Sequence, residues 1–158
     1  MKKGFTLIEL LAVILILGII ALIAIPVVND IIVEARQGAW VSSASQIASQ
    51  YDLYVQRKEI KGETAITNFV KTTSGTTTVN SDLDAKFKKG GNLDTVAVQK
   101  ELDIKGKMPS TFTDLYVEDG NAYVSFTVDG ITCTNFETTN STKTIINDGP
   151  RCTKASSN

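Results

Sequence analysis

The sequence predicts an α+β protein: a long N-terminal α-helix whose first half is apolar throughout, followed by a C-terminal antiparallel sheet of three to four strands. Three observations predict it. Residues 10–28 carry no charged side chain. Apolar residues then recur at helical spacing to about residue 58. From residue 111 the chain changes to short alternating runs separated by turn signals.

Residues 5–28 are dominated by Leu, Ile and Ala, with no polar face, as suits a helix surrounded by lipid or by other helices. The 19 charge-free residues are enough to span a hydrocarbon layer of about 30 Å. Gly18 and Pro26 are weak points, because Gly costs about 1 kcal/mol in a helix and Pro removes the hydrogen bond to the carbonyl of Leu22. A kink at Pro26 is expected. Glu9 raises a question, since a charge inside a spanning helix costs roughly 2.5–3.5 kcal/mol and usually has a partner and a task. The alternative is that Glu9 snorkels to the headgroups.

Residues 29–60 read as an amphipathic continuation of the helix. Ile32, Ala35, Ala39, Ile47, Tyr51 and Tyr54 mark one face, widened by Trp40, Ala44 and Val55, with Asp30, Glu34, Arg36 and several Gln between. Trp40, Tyr51 and Tyr54 are expected to pack in a core. A helix from residue 5 to about 58 would be on the order of 80 Å long. Gly62 is its stop signal.

Residues 61–110 form a variable connection. Seven threonines fall between residues 63 and 80, so a loop is expected there, with one short helix or strand at 66–70. The basic cluster KFKKGG (Lys86, Lys88, Lys89) reads as a solvated loop rather than a phosphate-binding strip. Residues 93–102 suggest a short helix, with Asn92 or Asp94 at its start and Gly106 after its end.

In residues 111–158, the runs TFTDLYV, NAYVSFTV and ITCTNFE are separated by turns at 118–120 and at Asp129-Gly130. The second alternates Val124, Phe126 and Val128 against Tyr123, Ser125 and Thr127. A further short strand is expected at 142–146. The sheet would cover the apolar face of the amphipathic half-helix.

Beyond Val28 there are 14 basic and 16 acidic side chains, a balance that gives nucleic-acid binding no support. Two cysteines, Cys133 and Cys152, fit a single disulfide in an oxidising compartment, the alternative being two buried free thiols. No A-x-A triplet follows the apolar run, and that run is longer than a usual signal-peptide core, so the segment is expected to stay on the mature chain.

The stretch GFTLIE at residues 4–9, with Gly18 and Pro26 behind it, resembles the class III signal of type IV pilins and type II secretion pseudopilins. The resemblance covers about 25 residues in its motif and the rest in general layout. It implies a type IV pilin fold and removal of residues 1–4 by a prepilin peptidase that cuts between Gly4 and Phe5. Phe5 would then be N-methylated. It also implies that Thr6, Glu9, Gly18 and Pro26 serve assembly. The Glu9 carboxylate would meet the N-terminal amine of a neighbouring subunit, each neutralising a charge that is costly alone in hydrocarbon. Residues between Gly18 and Pro26 would melt locally on assembly. A Cys133–Cys152 disulfide would close a surface loop, 134–151, of the kind used for subunit contacts and adhesion.

With no histidine there is no Ser-His-Asp or Cys-His pair, and phosphate-loop and nucleophile-elbow motifs are missing. Neither the pair Asp82 and Asp84 nor the pair Asp129 and Asp148 has the ligand spacing of a calcium loop. No enzyme, metal or cofactor is expected. The expected function is a structural subunit of a type IV pilus, serving adhesion, twitching motility or DNA uptake; the alternative is a pseudopilin of a type II secretion or competence system. Implied partners are further copies in a helical filament, the prepilin peptidase, the membrane assembly platform with its motor ATPases, and the bilayer before assembly. The subunit would cross the cytoplasmic membrane once and then pass into an extracellular filament.

Overall fold

The computed structural model describes residues 6–154, and they form a long helix followed by a mostly antiparallel β region, an α+β arrangement. Helix α1 spans Leu7–Ile60 without interruption. The chain divides into two compact units, one up to Arg36 and the other from Gln37 onward. In the first unit the helix runs on through Gly18 and Pro26.

In the second unit, Trp40, Ala44, Ile47, Tyr51, Tyr54 and Val55 form the buried stripe of α1. The packing face is shorter than the sequence pattern suggests, because Ala39 is exposed, as are Ile32 and Ala35 in the first unit. Trp40 meets Phe126 edge-on at 5.5 Å, and Tyr51, Phe69 and Phe87 form an aromatic chain with 5.5 Å steps. Such pairs add about 0.5–1.5 kcal/mol each beyond the area they bury. The Tyr51 hydroxyl donates to the Ile66 carbonyl at 3.1 Å, and burial pushes its pKa well above the ordinary phenol value.

The connection after α1 is more structured than its threonines suggest. Strands β1 (Asn68–Thr73) and β2 (Thr76–Val79) make a hairpin. Ser74 and Gly75 both take positive φ, 51° and 80°, at its two-residue turn, the geometry that matches strand twist. The basic cluster is likewise no simple loop. It contributes a 3-10 turn at Ala85–Phe87 and a small hairpin of β3 (Lys88–Lys89) and β4 (Asn92–Leu93). Helix α2, Thr95–Glu101, starts at an Asp94 cap whose carboxylate accepts from the Val96 and Ala97 amides at 3.0 and 3.2 Å.

The C-terminal strands are β5 (Asp114–Glu118), β6 (Asn121–Val128), β7 (Ile131–Thr134), β8 (Phe136–Thr139), β9 (Thr142–Ile145) and β10 (Arg151–Lys154). The main sheet has six strands, in the order β10-β7-β6-β5-β1-β2, not three or four. The additions are the threonine hairpin on one side and the cysteine-bearing β10 on the other. The run ITCTNFE does not hold as one strand: β7 ends at Thr134 and β8 pairs with β9 as a separate hairpin. That hairpin changes the environment of β6. Val124 and Phe126 lie in the main core, and Tyr123 and Ser125, on the opposite side of the alternation, are buried as well. Tyr123 stacks on its cross-strand partner Tyr116 at 4.9 Å and meets Phe136 at 5.6 Å in a second cluster.

Candidate assembly and surface-loop sites

Gly4 and Phe5 lie outside the described residues; Thr6 and Glu9 lie within them. Thr6 stands just before α1, and Glu9 is the third residue of the helix. The Thr6 amide donates to Glu9 Oε2 at 2.8 Å, and the Thr6 hydroxyl donates to the same oxygen at 2.7 Å. In return the Glu9 amide donates to Thr6 Oγ1 at 3.4 Å. This reciprocal pattern is a capping box, satisfying amides that have no partner in the first turn of a helix. A carboxylate there also meets the positive end of the helix dipole. The signal was present in the sequence as T-x-x-E at 6–9 but is masked by the apolar run around it. Both hydrogen bonds fall on Oε2, leaving Oε1 free of hydrogen bonds among the described residues.

Behind this cap the helix is long and apolar enough to cross a membrane, and the apolar stretch buries nothing within the chain. Leu7 and Leu22 are each about four-fifths exposed. A side-chain carbon built on Gly18 would meet nothing within 4 Å. Packing inside the chain therefore gives no reason for glycine at that position. Pro26 sits inside the helix, among exposed Leu22, Ile23 and Ile25.

The second region is the disulfide loop. Cys133 on β7 and Cys152 on β10 are cross-strand partners and are joined as a disulfide. The enclosed residues, 134–151, contain the β8–β9 hairpin. Asn135 anchors the point at which the chain leaves the main sheet: its Oδ1 accepts from the Val124 amide at 2.8 Å and its Nδ2 donates to the Ala122 carbonyl at 2.7 Å. The side chain thus continues the β6 ladder where β7 stops. Lys143 anchors the far side, donating to Asp114 Oδ1 at 2.6 Å and to the Thr72 carbonyl at 3.1 Å. Its ammonium lies about 5 Å from the rings of Tyr116 and Phe136. Neither Asn135 nor Lys143 stands out in the sequence, because their partners are supplied by distant strands. Asn140 and Ser141 form the exposed hairpin turn, with φ of 50° and 67°.

Residues 1–25 match the family model described as the prokaryotic N-terminal methylation motif. The chain is 35% identical over 98 residues to a type IV major fimbrial protein FimA of Dichelobacter nodosus, covering 58% of this chain and 61% of that protein. It is 42% identical over 65 residues to a fimbrial protein of the same organism, covering 41% of each. The chain thus matches about three-fifths of the length of these relatives at most. No solved structure matches it significantly. The head of this chain thus carries the prokaryotic N-terminal methylation motif, and the chain is similar to type IV major fimbrial proteins over about three-fifths of its length.

Proposed function

We propose that the chain is a structural subunit polymerised through its N-terminal helix into a type IV pilus. The observation that carries this is an unburied apolar helix headed by a single carboxylate, Glu9, held in place by its own cap. Burying that helix against other copies would remove a large apolar surface from solvent or lipid. Glu9 supplies direction: with Oε2 occupied by Thr6, Oε1 can accept an ammonium from a neighbouring subunit without opening the cap. In this reading, cleavage between Gly4 and Phe5 creates that ammonium, and methylation of Phe5 leaves its charge in place. Gly18 allows close approach of a second helix, and the stretch from Gly18 to Pro26 melts on assembly. The chain waits in the cytoplasmic membrane before the assembly platform and its motor ATPases move it into the filament.

The test is the mass of the N-terminal peptide in sheared filaments and in membranes of the native host. A chain beginning at methylated Phe5 and abundant in sheared material fits the pilus. Phe5-initiated chain confined to membranes identifies a pseudopilin of a secretion or competence system instead, and intact Met1 in both fractions overturns the filament reading. A Glu9→Gln variant separates charge from capping, because the amide still accepts from the Thr6 amide but cannot neutralise an ammonium. Loss of filaments with normal membrane levels is expected.

A further inference from the structure

The last turns of α1, the 3-10 turn and α2 surround a concavity of about 520 Å³ on the second unit. Its rim carries Arg57, Lys58, Lys61, Lys86 and Lys100 against one carboxylate, Glu101. That is a local surplus of four positive charges in a chain whose net charge is −1. Tyr54 and Phe87, both buried, underlie it.

Internal pairing does not account for this cluster. Lys58 holds Glu63 at 2.6 Å, and Lys86 reaches Glu101 only at 3.5 Å. Arg57, Lys61 and Lys100 make no ion pair among the described residues. Even with Glu63 counted, three positive charges remain. Helix dipoles explain part of the pattern: Arg57 and Lys58 lie in the last turn of α1, and Lys100 in that of α2. They do not explain Lys61, which lies past the end of α1, or Lys86, which sits on a single 3-10 turn. The end of α1 and the later segment holding the 3-10 turn and α2 bring like charges together, which costs stability unless something neutralises them.

We propose that this concavity binds a compact soluble anion carrying two or three clustered phosphate groups. Charge matching selects the class. A phosphate group carries roughly −1.5 to −2 at pH 7, so two or three would offset a surplus of three to four, whereas a single carboxylate would not. Size agrees, since small-ligand sites run from about 300 to 1,000 Å³. The apolar floor lowers the local dielectric on one side and strengthens each charge contact. Arg57 can grip phosphate oxygens in a bidentate fork, while the lysines act as point charges.

The test is calorimetric titration of the full-length chain in detergent with sodium tripolyphosphate. One site per chain is expected, with affinity falling about tenfold as salt rises from about 50 to about 200 mM. Lys61→Glu combined with Lys100→Glu should weaken binding at least about tenfold, and Lys154→Glu, on β10, should leave it unchanged. Both rim lysines are exposed, so an unchanged Tm is expected for the double variant. If its Tm falls, Lys61→Gln alone replaces it and should still weaken binding severalfold. No binding by wild type, undiminished binding by the rim variants, or tighter binding of a duplex oligonucleotide at the same rim would each overturn the proposal. None of these outcomes depends on whether the chain forms filaments.

Discussion

Lys143 Nζ stands 2.6 Å from Asp114 Oδ1 and ties the disulfide loop to the main sheet. The two side chains are 17% and 4% exposed, so each would be penalised if left alone. Asp114 also accepts from the Thr72 amide at 2.9 Å, which places one carboxylate at the meeting of β1, β5 and β9.

Lys143→Ala should therefore destabilise the fold by about 3 kcal/mol, because the loss strands a buried carboxylate. Lys143→Met with Asp114→Asn should recover at least half of that, since Asn still accepts from the Thr72 amide and no charge remains buried. Urea unfolding of the two variants checks both values.

Asn135→Ala should cost about 2–4 kcal/mol. It removes both partners of the β6 backbone at Ala122 and Val124 and leaves buried polar groups unpaired. Hydrogen exchange should speed up at the Val124 amide before it does elsewhere in β6. Unchanged exchange there would contradict the assigned role.

Replacing Cys133 and Cys152 together by Ser should cost about 3 kcal/mol, the chain-entropy value for a closed loop of this size. Combined with Lys143→Ala, the cost should be less than additive or greater, and not a simple sum, because both changes release the same loop. A double-mutant cycle in urea measures the coupling, and strict additivity would show that the two anchors act independently.

Burial raises the pKa of Asp52, an effect the Ala122 amide only partly offsets. Its Oδ1 is buried without a hydrogen-bond partner. For a carboxyl whose folded pKa lies above its unfolded value, the native state holds the extra proton. Stability therefore falls as pH rises from the unfolded value near 3.8 through the higher folded one. Asp52→Asn should raise Tm at pH 7 and change it little at pH 3. An equal shift at both pH values would mean that packing, not charge, is responsible.

Much of the fold was legible because its signals are local. The helix stripe at Trp40, Ala44, Ile47, Tyr51 and Tyr54 needs only 3.6-residue periodicity, and the Asp129-Gly130 turn only two adjacent residues. The β1–β2 hairpin was hidden because seven threonines read as loop, although Ser74-Gly75 carried the turn signal. The Thr6–Glu9 capping box is also a local signal, T-x-x-E, set inside an otherwise apolar run.

By itself the sequence determined the charge-free helix, the motif at its head, the helical face that enters the core and the strands on either side of Asp129-Gly130. Tertiary structure alone decided that β1 pairs with β5, at Asn68 and Tyr116, to widen the sheet. It also decided that β8 and β9 fold back over the outer face of β6, and that Lys143 meets Asp114 and Asn135 completes the β6 ladder. The reason is physical: periodicity and turn chemistry depend on neighbours a few residues apart. Strand pairing and buried polar contacts depend on groups brought together from tens of residues away, and no local pattern specifies them.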